Sequence, residues 1–330
     1  MSAASLQALR VAVVGLGSIG RRHLENLNRL GVAARVAVRR PRGANAAFEP
    51  PAGVAVAHSL QEALGDPLDA AIICNPTSLH VATALEYLEA GVPVLIEKPI
   101  AHRLDDAERL IVAARRSGAC AGMAYAMRYH PAYRLARDAI AEGRIGRMLY
   151  AKVWFEAYLP DWHPWEDYRQ GYAARRDLGG GALPTLDHEL DFLNWCLGQA
   201  ERAEGRSGRS GALDMDADDW ATLSMRYPSG VTAGGTFSLC RRDRSRGFEF
   251  VGERGTLQFD FESGRLELAR GGEHGAELLW NGAAYDLNDI YLEMLRDFLG
   301  AVVDRRRQAP VPLEAGLHAL RVAGAATGGG

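Results

Sequence analysis

The sequence predicts an α/β protein of two domains: a parallel sheet flanked by helices, then an α+β domain with a large, mostly antiparallel open sheet. Three observations carry this. Apolar runs alternate with helical patterns as far as Ala124, as parallel strands joined by crossover helices require. Beyond Leu197, strand-like runs follow one another with hairpin residues such as Pro228-Ser229-Gly230 and Ser263-Gly264 between them. The length of 330 residues suits two domains of about 150 each.

Each element has a local reason. Arg10–Val14 is a short apolar run, followed by glycines and a helical stretch to about Leu30. Further short apolar runs at Arg35–Val38, Val54–Ala57, Ala70–Cys74, Val92–Ile96 and Ala119–Ala124 complete six strands. Helical patterns at Ser78–Ala90 and Leu104–Ser117 fill the gaps. The pattern then changes: a helix over Arg134–Glu142, a strand over Met148–Tyr158, and a helix from after Gly179 to about Leu197. Strands follow at Ala221–Tyr227, Val231–Leu239, Phe248–Gly252, Thr256–Phe261 and Arg265–Ala269, with Arg241–Arg246 read as a solvated loop. Helices over Asn288–Arg305 and Leu313–Ala326 close the chain. The expected domains are 1–122 and 123–330, the last helix being free to pack back on the first.

Composition excludes several classes. Apolar residues at 48% and charged residues at 24% mark an ordinary globular chain. A net charge of −3 with no basic tail argues against a nucleic-acid partner. No apolar run approaches the roughly 18–20 residues of a membrane span, so no membrane partner is expected. Cys74, Cys120, Cys196 and Cys240 are far apart and read as reduced thiols in a cytoplasmic protein. No His, Cys or carboxylate cluster has metal-ligand spacing, so no metal is expected. Lys98 and Lys152 are the only lysines among 38 basic residues. Arginine cannot lose its proton and lysine can, which singles out both.

The glycine loop carries the first chemistry. Gly15-Leu16-Gly17-Ser18-Ile19-Gly20 follows the first strand and opens a helix. Glycines there permit a tight turn, approach of a pyrophosphate and close helix–strand packing. The helix N-terminus presents free N–H groups to the phosphates, with Gly15, Gly17, Ser18, Ile19 and Gly20 as their frame. The second strand ends in Arg39-Arg40 with no acidic residue for ribose hydroxyls, which favours NADP over NAD. The same two arginines also fit the arginine-rich background.

The loop continues as Arg21-Arg22-His23. The fourth strand runs out in Cys74-Asn75-Pro76-Thr77-Ser78-Leu79-His80, the fifth in Glu97-Lys98-Pro99. Met127-Arg128-Tyr129-His130-Pro131 comes later, then Gly179-Gly180-Gly181 ahead of His188 and Asp191. In this order and spacing the set resembles the glucose–fructose oxidoreductase/inositol dehydrogenase (Gfo/Idh/MocA) family over nearly the whole chain. The resemblance implies an N-terminal Rossmann domain, a C-terminal domain whose open sheet makes a homodimer or homotetramer, a nicotinamide cofactor and a sugar substrate. It places Asn75, Pro76, His80, Glu97, Lys98 and Arg128 around the cofactor, and Lys98 and His188 at the reacting carbon. The stretch Tyr158–Trp162, with Asp167-Tyr168-Arg169, looks most like members acting on nucleotide-linked or amino sugars of surface-glycan pathways.

The residues support these roles independently. Lys98 falls at the C-terminal end of a parallel strand, where open α/β sheets bind ligands. A lysine there can shuttle a proton if burial or a nearby cation lowers its pKa from about 10.4. Leu183, Leu186, Leu190, Leu193 and Leu197 form a stripe at helical spacing, and His188 points away from it on a continuous helix. Histidine is the usual acid–base group near neutral pH. The family's aspartate one turn before this histidine is here Pro184; Asp187 is about 100° away around such a helix. Tyr125, Tyr158, Trp162, Tyr168, Arg169 and Asp187, with Arg128, are candidate substrate contacts: aromatic rings stack on sugar faces and arginine binds anions. The expected activity is NAD(P)-dependent hydride transfer at a sugar carbinol. Two alternatives stay open: a glycosidase-like lyase that oxidises its substrate transiently, and a non-catalytic nucleotide-binding regulator, to which Pro184 points.

Overall fold

The computed structural model describes residues 6–38, 49–162, 164, 166–272 and 275–326. The chain forms two compact units: Met1–Ala126 with Asn288–Leu317, and Met127–Leu287 with His318–Gly330. The first unit thus runs to Ala126 and takes in the late Asn288–Leu317 segment.

The first unit is a six-stranded, wholly parallel sheet in the order β3-β2-β1-β4-β5-β6. Its strands are β1 (Arg10–Val14), β2 (Ala34–Val38), β3 (Val54–Ala57), β4 (Ala70–Ile73), β5 (Val94–Ile96) and β6 (Ala121–Met123). All six expected strands are present. Helices α1 (Ser18–Arg29), α2 (Leu60–Ala63), α3 (Thr77–Glu89) and α4 (Leu104–Ser117) lie between them in sequence. Val11, Ala12, Val13, Ile72 and Ile73 are fully buried, which is why these strands read as unbroken apolar runs. Strand order reverses between β1 and β4, the switch point at which such sheets bind ligands. The late segment joins this unit because β6 would otherwise be a bare edge. Gln308 bridges to Ala121, and Val311 accepts the Met123 N–H at 2.9 Å.

The second unit is an eight-stranded sheet in the order β14-β13-β12-β11-β7-β10-β9-β8. Only the β10–β7 pairing is parallel. β7 (Met148–Tyr158) lies between β10 (Thr232–Ser238) and β11 (Cys240–Gly252). Its Ala151, Val153, Phe155 and Ala157 are buried, alternating with more exposed neighbours, so one face is the core. Helices α5 (Pro131–Ala141) and α7 (His188–Leu197) supply Tyr133 and Phe192 to that core. Ring centroids lie 5.1 Å apart for Tyr133–Phe248 and 4.7 Å for Phe192–Phe248. On the outer face Lys152 sits opposite Glu249, its Nζ 2.9 Å from the carboxylate. That cross-strand ion pair accounts for the second lysine.

Two outer strands lack a clear sequence signal: β8 (Arg202–Gly208) and β14 (Ala276–Asn281). Both are sheet edges with polar or mixed composition, so neither presents a clean alternation. The Arg241–Arg246 segment corrects the expectation of a solvated loop: it lies within β11, across a register irregularity between Cys240 and Ser245. Aromatic rings cover its cations, with the Arg242 guanidinium 3.9 Å from the Tyr158 ring centre and that of Arg246 4.4 Å from Phe155. No described helix is long and apolar enough to cross a membrane.

His130 caps α5: its Nδ1 accepts the Ala132 N–H at 3.2 Å, which requires the neutral ring. Aromatic neighbours surround it, and burial pushes its pKa down to about 3. The folded pKa lies below the unfolded value of about 6.5, so the unfolded chain takes up the extra proton first as pH falls. This histidine's contribution is therefore fully present above about 6.5 and lost down to about 3, at up to about 1.4 kcal/mol per pH unit. His130→Asn keeps a capping side chain without the titration. The stability gap between wild type and this variant should shift in the variant's favour by about 2 kcal/mol between pH 7 and pH 5, read from urea unfolding. An unchanged gap would contradict a neutral His130.

Candidate active site

The loop after β1 has the shape its glycines imply. Gly15 has φ +95°, and a Cβ on it would lie 2.6 Å from the Asn75 nitrogen. A Cβ on Gly20 would lie 2.0 Å from the Gly15 carbonyl oxygen. Gly17, the N-cap of α1, is different: a Cβ there meets nothing within 4 Å, and no side chain caps the helix. Ser18 is exposed and Ile19 half-buried at the open helix start. The residues therefore fit a pyrophosphate, with a cradle over Gly17 and unused N–H groups beneath it. Gly20→Ala should destabilise the protein by about 1–3 kcal/mol or more through backbone overlap. Gly17→Ala should leave the melting temperature of the ligand-free protein within about 1 °C and weaken dinucleotide binding at least about tenfold. Thermal melts and NAD titrations of both variants test the split; equal behaviour would contradict the cradle. Arg39 and Arg40 lie outside the described residues.

The ends of β4 and β5 are tied together. Asn75 Nδ2 donates to Thr83 Oγ1 at 2.8 Å, and Pro76 precedes α3 as its N-cap. The His80 ring spans two carbonyls, that of Pro99 at 2.8 Å from Nδ1 and that of Asn75 at 2.7 Å from Nε2. Glu97 is buried; its Oε1 accepts from His23 Nε2 at 2.7 Å and its Oε2 from the Lys98 N–H at 3.2 Å. Burial, with the Glu97 charge, holds the Cys74 thiol well above its ordinary range. The side chains of His80 and Glu97, expected around the cofactor, are thus committed to loop shape. Lys98 follows Glu97 directly and is half-buried, just past the C-terminal end of β5. Tyr125, just after β6, is fully buried.

In the second unit the glycine triplet makes the turn before His188. Gly179 and Gly181 have φ of +83° and +119°, and a Cβ on Gly180 would lie 2.0 Å from the Tyr172 oxygen. A short helix α6 (Ala182–Thr185) follows, the backbone bends at Leu186 (φ −111°, ψ 22°), and α7 begins at His188. This corrects the single continuous helix. Leu183, Leu186, Leu190 and Leu193 are all buried, yet the bend separates them into two pieces. Neither His188's orientation nor the offset of Asp187 follows from a wheel drawn through the bend. His188 is half-buried at the first turn of α7, and Asp187 before it is buried.

Arg128, expected beside the cofactor or substrate, is held by a carboxylate. Its Nε and Nη2 donate to Asp191 Oδ2 and Oδ1 at 2.8 and 2.6 Å, a two-pronged pair. Tyr158 ends β7 under Arg242, and Trp162 stacks on Phe155 with ring centres 6.2 Å apart. Tyr168 and Arg169 belong to a separate turn. The Tyr168 hydroxyl accepts the Asp214 N–H at 3.0 Å, and Arg169 forks onto Asp167 at 2.8 and 2.9 Å. Carboxylates already occupy Arg169, so it does not present a free anion site. Sequence reasoning missed His23, Thr83 and the buried Glu189–Arg246 pair at 2.7 Å. His23 stood in a quoted motif; Arg246 was hidden in an arginine-rich run. Among the described residues no group of His, Cys, Asp and Glu could hold a metal ion.

Comparison with known proteins extends these observations. Residues 9–125 match the family described as "Oxidoreductase family, NAD-binding Rossmann fold", and residues 133–258 the "GFO/IDH/MocA C-terminal domain". A 1,5-anhydro-D-fructose reductase of Ensifer adhaerens is 36% identical over 220 residues, 66% of this chain and 64% of that protein. An inositol 2-dehydrogenase of Rubrobacter xylanophilus is 27% identical over 314 residues, 92% of this chain and 85% of the relative. Levoglucosan dehydrogenase, solved with NADH and levoglucosan, superposes with a TM-score of 0.83 at 19% identity, over 97% of this chain and 96% of that one. The chain belongs to the Gfo/Idh/MocA family of oxidoreductases, with the family's NAD-binding Rossmann domain followed by its C-terminal domain.

Proposed function

We propose that the protein transfers a hydride between a nicotinamide dinucleotide and a carbinol/carbonyl carbon of a sugar or polyol, with Lys98 and His188 handling the proton. The observation that carries this is the uncapped start of α1 over Gly17, set at the strand switch point of the parallel sheet. The nicotinamide, when bound, supplies the hydride chemistry. Lys98 supplies a titratable amine at a strand end, and His188 a titratable ring at a helix start. Tyr158 and Trp162 offer flat faces for a sugar ring. The three relatives described above are named for 1,5-anhydro-D-fructose, inositol and levoglucosan, all cyclic sugars or polyols, which supports that class.

NAD is the cofactor we infer, since NADH occupies the levoglucosan dehydrogenase structure. Arg39 and Arg40 support NADP as the second reading. The Tyr158–Trp162 stretch supports a nucleotide-linked or amino sugar as the finer substrate class. The open eight-stranded sheet supports a homodimer or homotetramer, and the free thiols suit a reducing cytoplasm.

The test is the absorbance of reduced nicotinamide with NAD or NADP and a panel of anhydrosugars, inositols and nucleotide-linked sugars. Net reduction or oxidation is expected with at least one. Release of a leaving group with no net cofactor change would instead establish the lyase. Cofactor binding without turnover on any panel member would favour the regulator.

A further inference from the structure

We propose that His80 is a buried imidazolium clamping the two strand ends that carry Asn75 and Lys98, with the Glu97 carboxylate as its counter-charge. Its catalytic consequence rests on the reading of Lys98 as a proton-handling residue; its charge state does not. Both ring nitrogens face carbonyl oxygens, Pro99 at 2.8 Å and Asn75 at 2.7 Å. A carbonyl oxygen can only accept. A neutral imidazole has one N–H, so one of the two contacts would set lone pair against lone pair at hydrogen-bond distance. Only the doubly protonated ring donates to both.

The ring is 2% exposed, and burial, aided by the neighbouring Lys98 ammonium, pushes it toward the neutral form. The two carbonyls and the Glu97 charge pull the other way. The geometry favours the second set, because Glu97 is itself fixed as an anion. Its two oxygens accept from His23 Nε2 and the Lys98 N–H. His23 Nδ1 is buried without a hydrogen-bond partner, a tolerable state for a lone pair and a costly one for an N–H. His23 is therefore the neutral member, donating through Nε2. Cys74, a further titratable neighbour of Glu97, is held protonated by burial. Beside Lys98, the pair then carries one negative charge on Glu97 and one positive charge on His80. His130 shows the opposite case: its Nδ1 accepts an N–H, so that buried ring is neutral.

Two consequences follow for Lys98. The clamp fixes the carbonyl of Pro99, the next residue, against that of Asn75. The positive charge on His80 offsets that of Glu97 at the neighbouring amine and so favours its neutral form, which can take a proton from a carbinol. His80 is thus a positioning residue, acting through Lys98.

The direct test is the ring-nitrogen spectrum of the full-length, ligand-free protein labelled with 15N-histidine, with His80 assigned by its loss in His80→Gln. At pH 8 both His80 nitrogens should carry protons, while exposed histidines have lost one. A single protonated nitrogen at pH 8 would overturn the proposal. A neutron structure at the same pH reads the same protons if His80→Gln does not fold. In Glu97→Gln the His80 ring should lose a proton at pH 8; a ring that stays doubly protonated would remove Glu97 as counter-charge. In kinetics, His80→Gln should move the acid limb of kcat/KM upward by about one pH unit. An unmoved limb overturns the electrostatic action on Lys98. The spectra need no substrate, so failure to find sugar turnover would count against the proposed function alone.

Discussion

Lys98→Met should lower kcat by about 10²–10⁴-fold, the range a positioned acid–base group contributes, with dinucleotide affinity changed only a few-fold. The glycine cradle does not depend on Lys98, so binding and chemistry should separate. Lys98→Arg is the sharper variant. It keeps a long cation at the end of β5 and removes the titratable amine. If Lys98 only supplied charge, Lys98→Arg would retain most activity; if it moves a proton, the arginine variant should fail like the methionine one. His188→Ala should show a loss of the same order. Steady-state rates and cofactor titrations on the three variants decide the matter, and near-normal turnover in Lys98→Met or His188→Ala would remove that residue from the mechanism.

Arg246→Ala should cost about 3–5 kcal/mol of stability, the penalty for leaving a buried charge without its partner. Arg246 and Glu189 side chains are 5% and 1% exposed, and the Arg246 Nε lies 2.7 Å from Glu189 Oε1. The same oxygen accepts from the Tyr133 hydroxyl at 3.1 Å. Glu189 follows His188 directly, so the pair pins the start of α7 to β11 and thereby the candidate histidine. Replacing both charges, as Arg246→Met with Glu189→Met, should recover most of the lost stability, because no lone buried charge remains. Denaturant midpoints of the single and double variants measure this. A loss under about 1 kcal/mol for Arg246→Ala would show that the pair is hydrated.

What could be read from the sequence had a local cause. The central parallel strands were legible because strands buried on both faces must be apolar throughout. The glycine loop was legible because a tight turn, a close helix and an open cradle each exclude a Cβ at a definite position. Lys98 stood out because a chain that otherwise uses arginine keeps lysine there. The antiparallel strands around β7 were legible from alternation, whereas the edge strands β8 and β14 were not, since an edge needs no apolar face.

The tertiary structure decided matters that depend on partners distant in sequence. The leucine stripe from Leu183 to Leu193 recorded burial faithfully but not continuity, so a bend at Leu186 could place His188 at a helix start without disturbing the pattern. Arg128 and Arg169 looked available until Asp191 and Asp167 claimed them. Arg246 looked solvated until Glu189, 57 positions away, came to lie beside it. Sequence alone determined the sheet, the cofactor loop and the titratable residues, because each follows from the residue's own size or chemistry. Only the fold decided which of those charges are already spent, because an ion pair or a carbonyl clamp is a property of two places in the chain at once.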